Sequence, residues 1–252
     1  KRGLLFLMTV RGPPESPWHV LLPPVPDHRN QTIVGGSASS LGQFPYQAGL
    51  LAQFSGGQGV CGGSLIRANR VVTAAHCWFD GQNRATSFTV VLGSIRLFSG
   101  GTRVTTNNVV MHGSWNPSLI RNDVAMIRLN ANVGLNSKYL NNIYVPANYA
   151  GVTATASGFG LTRDGKESFI SRIVSRISSF PLIIQDSNIC TSGAGGRSTC
   201  QGDSGGPLTV ISNSRPLLIG ITSFGSARGC QIGSPAAFAR VSSYSSWING
   251  QL

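Results

Sequence analysis

Short β-rich runs separated by glycines limit the folds open to this chain more than any other feature. Runs rich in Val, Ile, Thr and Phe recur at residues 71–73, 88–92, 104–111, 124–129, 152–156, 208–211, 217–223 and 237–241. Short strands divided by frequent turn residues are typical of an all-β barrel or sandwich. The 32 glycines fit turns better than helices. Tyr244, Trp247 and Ile248 recur at helical spacing, so the sequence predicts one helix over residues 243–252.

The charge of the chain limits the kinds of partner. Twenty Lys and Arg residues against eight Asp and Glu residues give a net charge of +12. Such a balance favours acidic partners such as nucleic acid or a sulfated glycan. The arginines are scattered singly, without a basic run or a nucleic-acid motif, so we expect no specific nucleic-acid binding. No apolar run approaches about 18 residues, so no membrane span is predicted.

Residues 1–32 differ in texture from the rest of the chain. Lys1-Arg2 and the apolar residues 4–10 resemble the basic and apolar parts of a secretion signal. Six of the 13 prolines then fall within residues 13–26, which makes that stretch extended and a poor partner for a sheet. We interpret residues 1–32 as a shortened leader plus propeptide. The polar residues 136–147 are interpreted as a link between two halves of the remaining chain.

Three segments contain the residue types needed for nucleophilic catalysis. Ser204 lies in a glycine-rich loop, Gly202-Asp203-Ser204-Gly205-Gly206, His76 lies among small residues next to Cys77, and Asp123 begins an apolar run. A serine hydroxyl is a poor nucleophile unless a neutral imidazole accepts its proton and a carboxylate holds that imidazole in the right tautomer. The order His, Asp, Ser along the chain is that of one of the known groups of Ser-His-Asp enzymes.

These motifs, with Ile33-Val34-Gly35-Gly36 ahead of them, resemble the trypsin/chymotrypsin family of serine endopeptidases over residues 33–252. Residues 198–201 and 235–238 most resemble arthropod chymotrypsin-like or brachyurin-type digestive members. The resemblance implies an all-β fold of two antiparallel six-stranded β-barrels packed together, with a short C-terminal helix. The first barrel would occupy residues 33–135, and the second barrel with the helix residues 148–252. A secreted, extracellular and monomeric enzyme without a cofactor is implied, with protein substrates and protein inhibitors as partners.

The resemblance also implies roles for individual residues. His76 would be the general base and then the general acid, Asp123 would orient it, and Ser204 would form the acyl-enzyme. The backbone N–H groups of Gly202 and Ser204 would form the oxyanion hole. Glycine at 202 would let the backbone turn its N–H toward the substrate without strain.

Activation by cleavage is a further implication of the resemblance. In the family, cleavage before the residue matching Ile33 frees an ammonium group that pairs with the carboxylate matching Asp203. Because an unpaired buried charge is costly, this pair would order the oxyanion loop only after cleavage, so the chain would be made as a zymogen. Thr32 precedes Ile33 where Arg or Lys is usual. Self-activation by a trypsin-like enzyme is therefore not expected.

The resemblance assigns a specificity pocket with Ser198 at its floor. A serine there cannot neutralise a buried Lys or Arg side chain of a substrate. The remaining pocket and subsite positions are Ser223, Phe224, Gly225, Ala236 and Ile120. Gly225 leaves room for a substrate side chain, whereas the methyl group of Ala236 makes the pocket shallower. We expect cleavage after Phe, Tyr, Leu or Met, with a preference for smaller, elastase-type side chains as the alternative.

Five cysteines, at positions 61, 77, 190, 200 and 230, fit no zinc-ligand spacing. In a glycine-rich all-β chain they indicate disulfides of a secreted protein, with one cysteine left over. We expect the pairs Cys61–Cys77 and Cys200–Cys230. The family's usual partner for Cys190 is absent from a shortened stretch after Gly160, which leaves Cys190 as a free thiol. No metal is expected, because the chain has no Asp or Glu between Asp80 and Asp123 to hold calcium.

A different class of function has to be weighed against the enzyme. A protease homologue can become a binding protein, here for acidic glycans through its positive surface. Such homologues typically lose the nucleophile or the base. This chain keeps both His76 and Ser204, so the sequence favours the serine endopeptidase.

Overall fold

A computed structural model of the protein describes residues 36–134, 149–161, 170–174 and 183–252. The predicted leader (1–32), Ile33 and the predicted link (136–147) lie outside these residues. The described chain forms β-strands β1 (Gln47–Phe54), β2 (Gly57–Arg67), β3 (Arg70–Thr73), β4 (Ser87–Leu92), β5 (Thr102–Thr106), β6 (Val109–Met111), β7 (Ala125–Arg128), β8 (Thr153–Ala156), β9 (Ile170–Val174), β10 (Asn188–Thr191), β11 (Pro207–Ser212), β12 (Arg215–Phe224) and β13 (Ala236–Arg240), followed by helix α1 (Val241–Asn249).

The first half of the chain forms an antiparallel sheet in the order β5-β4-β1-β2-β3-β7-β6. This sheet has seven strands where six were predicted, because the expected run 104–111 is interrupted at Asn107 and Asn108. The N–H of Asn108 donates to the Thr106 hydroxyl (3.1 Å) and the N–H of Val109 donates to the Asn107 carbonyl (3.0 Å). β5 pairs with β4 at one edge of the sheet, and β6 pairs with β7 at the other edge. The stretch from β5 to β6 bends at Asn107 and Asn108 and joins the two edges, so the sheet is curled.

The second half forms a closed antiparallel barrel of six strands, β10-β13-β12-β11-β8-β9, as predicted. β12 and β13 form its long hairpin, with a register shift between Thr222 and Phe224. This shift is a β-bulge, which bends a strand and redirects side chains. The fold is therefore the expected pair of curled antiparallel sheets with one short C-terminal helix.

The hairpin of β1 and β2 was not predicted, although it forms the centre of the first sheet. β1 is buried on both faces except at Gln53, so it lacks the alternation of a surface strand. β2 carries four glycines, which weaken the sequence signal of a strand. Two glycines are needed for close packing, since a Cβ on Gly49 would lie 2.4 Å from Leu97 Cδ1 and one on Gly62 would lie 2.9 Å from Gly206 Cα.

Helix α1 packs onto the first sheet and thereby joins the two halves of the molecule. Its buried residues Val241, Tyr244 and Ile248 belong to the same apolar core as Leu65 and Phe88 of the first sheet. Leu218, Ile221 and Ala239 of the second sheet reach this core as well. Within the described part of the chain, no helix has the length and apolar character that a membrane crossing requires.

Candidate active site

His76 and Asp123 are in direct contact beside the paired strands β3 and β7. Thr73 of β3 lies opposite Ala125 of β7, which places the short turn Ala75–Cys77 beside Asp123. Nδ1 of His76 lies 2.8 Å from Oδ2 of Asp123, and the backbone N–H of His76 donates to Oδ1 at 2.9 Å. Both residues are only 2% exposed. Because an ionised carboxylate can only accept, this contact assigns the proton to Nδ1 and leaves Nε2 as the basic nitrogen.

Ser223 completes the surroundings of the Asp123 carboxylate. It is the residue left out of the ladder at the β12 bulge, where Thr222 pairs with Phe238 and Phe224 with Ala237. Its hydroxyl donates to Oδ2 of Asp123 at 2.5 Å, and the residue is 2% exposed. The sequence predicted Ser223 as a wall of the substrate pocket, and the structure adds that its side chain lies on the buried carboxylate.

Ser204 lies in a loop that backbone hydrogen bonds hold against both sheets. Its carbonyl accepts from the N–H of Gly62 in β2 at 2.6 Å, and the N–H of Gly205 donates to the Thr222 carbonyl at 2.8 Å. Gly205 has a φ of 78°, and a Cβ there would lie 2.1 Å from Oγ1 of Thr73. Only glycine therefore lets this loop lie so close to the strand that leads into His76.

The disulfide Cys61–Cys77 fixes the histidine turn to β2 beside the same loop. The sulfur of Cys77 lies 3.6 Å from the Ser204 carbonyl oxygen, so the residue after His76 contacts the backbone of Ser204. The structure thus brings His76, Asp123 and the Ser204 loop together, as the sequence motifs implied. Cys61, His76 and Cys77 are clustered, but the disulfide occupies both sulfurs and Asp123 holds Nδ1, so this group does not offer a metal site.

Asp203 is completely buried immediately before Ser204. The N–H of Gly160 donates to Oδ1 at 2.8 Å, and the N–H of Cys200 donates to Oδ2 at 2.9 Å. Burial raises the pKa of this carboxyl to about 7, an effect that the two backbone donors only partly offset. A Cβ on Gly158 or Gly160 would come within 2.1 or 2.5 Å of its atoms, so both glycines are required by the carboxyl.

Comparisons with known proteins agree with this arrangement. The trypsin family model matches residues 33–248. Serine protease 1 of Drosophila melanogaster is 40% identical over 232 residues, covering 86% of this chain and 84% of that protein. Brachyurin of Leptuca pugilator is 37% identical over 235 residues, covering 87% of this chain and 98% of that protein. The chain belongs to the trypsin family of serine endopeptidases.

The same fold relates this trypsin-family chain to a solved collagenase. That structure superposes with a TM-score of 0.74 at 33% sequence identity, over 87% of this chain and 98% of the other. The agreement extends the family assignment from sequence motifs to the arrangement of both sheets. Hydrolysis of peptide bonds by a serine-type enzyme is therefore the activity of this family member.

Among the predicted pocket residues, Phe224 ends β12, Gly225 follows it and Ala236 begins β13. Ser198 is buried and its hydroxyl donates to the Thr199 carbonyl at 3.0 Å, while Ala236 is fully buried. Gly225 is exposed, and a Cβ built on it would have no heavy atom within 4 Å. An open space of this kind beside Gly225 can receive a side chain of another molecule.

Ile120 packs in an apolar cluster with Phe224, Cys190 and Ala237, which Ile183 and Ile184 complete. Cys200–Cys230 is the second disulfide, as expected, and Cys190 is the free cysteine of the described chain. Cys190 is 3% exposed, so it acts there as a small apolar residue. Burial raises the pKa of its thiol to about 12.

The contacts of Ser223, Gly158 and Gly160 were missed by sequence reasoning. Ser223 lies 100 residues from Asp123, and Gly160 lies 43 residues from Asp203, so no local pattern joins either pair. The one available signal was the pair of glycines in Ser157-Gly158-Phe159-Gly160 directly after a predicted strand. Alternating glycines there indicate a close approach of another group without identifying it.

Proposed function

We propose that His76, Asp123 and Ser204 are the catalytic residues of this endopeptidase. The buried contact between His76 and Asp123 carries the proposal, because it presents Nε2 as a base. The Ser204 oxygen attacks the substrate carbonyl carbon while His76 takes its proton. His76 then gives that proton to the leaving amine as the peptide bond breaks, and water releases the acyl group by the same steps.

The oxyanion that forms in each step needs preorganised donors, and we assign these to the N–H groups of Gly202 and Ser204. Gly202 has a φ of 94°, a conformation that favours glycine. A Cβ at this position would also lie 2.9 Å from the Gly160 backbone. Both facts support a loop that requires glycine at position 202 so that its backbone N–H can face the substrate. The loss of one such donor typically lowers turnover about 10²–10³-fold.

The proposed specificity is cleavage after large apolar residues. Ser198 supplies no charge at the pocket floor, and the open side of Gly225 gives room for a large side chain. The buried methyl group of Ala236 limits the depth of the pocket. Elastase-type cleavage after small residues is the alternative that these contacts allow.

We further propose a secreted zymogen with its peptidase domain beginning at Ile33. The two disulfides support an oxidising, extracellular setting. The family match begins at residue 33, which supports cleavage between Thr32 and Ile33. Asp203 supports it as well, because a completely buried carboxyl with a raised pKa gains from an ammonium partner.

The test uses the chain beginning at a free Ile33 amine, the full chain and the Ser204→Ala variant of the shorter chain. Each is incubated with a fluorophosphonate probe and with a mixed peptide library read by mass spectrometry. The shorter chain is expected to take label at Ser204 and to cut after Phe, Tyr, Leu or Met. Little label and few cuts are expected from the full chain, and none from Ser204→Ala.

Each other result would revise a specific part of the proposal. Cuts mainly after Lys or Arg contradict the pocket assignment and leave the catalytic residues standing. Cuts mainly after Ala or Val establish the elastase-type alternative. Equal activity of the full chain contradicts the zymogen, and a folded sample without label or cuts contradicts the catalytic assignment.

A further inference from the structure

Two of the three residues before Asp123 have an unusual backbone. Ile120 has a φ of 51° and Asn122 has a φ of 58°, both in the left-handed region. Asn tolerates this conformation, but for a β-branched residue such as Ile it is a true outlier. A strained backbone at a functional site persists only where its surroundings hold it in place. Residues 120–122 are here called the 120–122 segment. The surroundings of this segment must therefore hold its strained backbone in place.

The first anchor of the 120–122 segment comes from the turn that leads into β10. With the Gln185 amide oxygen facing Arg121, that oxygen accepts from Nη2 at 2.8 Å and from Nε at 2.7 Å. The backbone of Gln185 is itself fixed, since its N–H donates to the Asn188 side chain at 2.9 Å and its carbonyl accepts from the Asn188 N–H at 2.8 Å. Arg121 is exposed, so its contact with Gln185 adds little to stability. The contact mainly fixes the position of the 120–122 segment.

The second anchor comes from helix α1. The Tyr244 hydroxyl donates to Oδ1 of Asn122 at 3.4 Å, and Nδ2 of Asn122 donates to the Ser114 carbonyl at 2.8 Å. Tyr244 is 5% exposed and its ring packs edge-on against His112, whose N–H donates to the carbonyl of Val124 at 2.9 Å. Contacts from the helix thus reach the residues on either side of Asp123.

We propose that the 120–122 segment positions the Asp123 carboxylate against His76, and that Gln185 and Tyr244 hold the segment in place. The proposal rests on the catalytic assignment of Asp123 given above. Ile120 packs against the apolar cluster that contains Cys190 and Phe224, so all three residues of the segment are held by the second half of the chain or by α1. These are positioning residues, because the contacts described above act on Asp123 through the backbone of the 120–122 segment.

Gln185→Leu removes the first anchor, and Tyr244→Phe removes the second together with the bond between the Tyr244 hydroxyl and Ser187. The chain provides matched controls. Gln251→Leu removes another Arg–Gln contact, that of Arg128 Nη2 at 2.9 Å, and Tyr46→Phe removes another buried tyrosine hydroxyl bond, to Thr209 at 3.2 Å. Asn122→Gly serves as a second variant for the helix anchor, since glycine keeps the left-handed backbone and loses only the side-chain bonds.

The first readout does not depend on turnover. In the full chain, the proton shared by His76 Nδ1 and Asp123 gives a far-downfield NMR signal, and both anchor variants are expected to move that signal upfield. The second readout uses the full chain with a specific protease site in place of residues 29–32, cleaved before Ile33. We expect kcat to fall about three- to tenfold in each variant and about thirtyfold in the double variant, because small displacements of catalytic groups lower rates steeply. KM should stay within about twofold.

The controls are expected to keep both the signal and kcat. An unmoved signal in Gln185→Leu, Tyr244→Phe and Asn122→Gly overturns the proposal, as does an equal fall of kcat in the controls. Failure of the unmodified chain to label at Ser204 is a separate result. It removes the catalytic assignment, whereas the NMR signal still decides whether the anchors position Asp123.

Discussion

The fit of the Asp203 carboxyl against Gly160 allows a quantitative prediction for Gly160→Ala. The added methyl carbon would lie 2.5 Å from Cγ, 2.6 Å from Oδ1 and 2.7 Å from Oδ2 of Asp203. These distances are far below contact, and the obstacle is a completely buried carboxyl that backbone donors hold on both oxygens. Either the carboxyl turns away or the 158–160 backbone moves, and the 2.8 Å bond from the Gly160 N–H is lost in both cases.

The magnitude follows from two costs. A lost hydrogen bond to a charged group costs about 1.5–3 kcal/mol, and overpacking costs about 1–3 kcal/mol. We therefore expect the free energy of unfolding to fall by about 3 kcal/mol or more. For a domain of this size that corresponds to a loss of about 6–12 °C in Tm. Because Asp203 precedes Ser204, kcat/KM is expected to fall at least about tenfold.

Gly134→Ala is the matched control, since a Cβ at Gly134 would meet nothing within 4 Å and its φ lies outside the left-handed region. Tm is measured by thermal unfolding at pH 8, and kcat/KM on a peptide substrate with the activated chain. A Gly160→Ala protein within about 1 °C and about twofold of Gly134→Ala would refute the reasoning. It would mean that the carboxyl has another position of similar free energy.

Three further predictions concern the titration of Asp203, the reactivity of Cys190 and the pocket at Gly225. Burial raises the pKa of Asp203 to about 7, so between about pH 4 and 7 the folded full chain holds a proton that the unfolded chain has released. Its unfolding free energy should therefore decline over that range, by an amount on the order of 4 kcal/mol, and urea titrations of Asp203→Asn should show no such decline. Cys190, with a thiol pKa of about 12, should not react with a thiol reagent at pH 8 in the native protein, and should react fully in guanidinium chloride. Gly225→Val should lower kcat/KM for substrates with Phe or Tyr before the scissile bond at least about tenfold relative to Ala substrates, with Tm unchanged; an unchanged ratio would place the pocket elsewhere.

Local sequence patterns were sufficient for the strands that alternate and for the helix. Predicted runs at 88–92 and 152–156 correspond to β4 and β8, and the Tyr244, Trp247, Ile248 spacing corresponds to α1. The patterns failed where burial on both faces or a run of glycines replaced alternation, as in β1 and β2. They also failed at Asn107 and Asn108, where side-chain and short backbone bonds break a strand that its residue types favour.

For the site, the motifs identified the candidate reacting groups but not what holds them. His76, Asp123 and Ser204 each lie in a recognisable local pattern, and the structure brings their segments together. The groups around them come from distant parts of the chain, and their types are ordinary: a serine, two glycines, a glutamine and a tyrosine. A serine in a β-strand predicts nothing by itself, and only the bulge at Ser223 turns it toward Asp123.

Cys190, the free cysteine of the described chain, shows how apolar packing links the second barrel to the residues before Asp123. The thiol is not left in a polar gap but packs with Phe224, Ala237 and Ile120. Ile120 ties the 120–122 segment to this cluster, so the same apolar contacts support the backbone before Asp123. A disulfide constrains mainly the unfolded chain, whereas apolar contacts act in the folded state. The buried free thiol of Cys190 therefore contributes to the folded state through packing and not through a covalent bond.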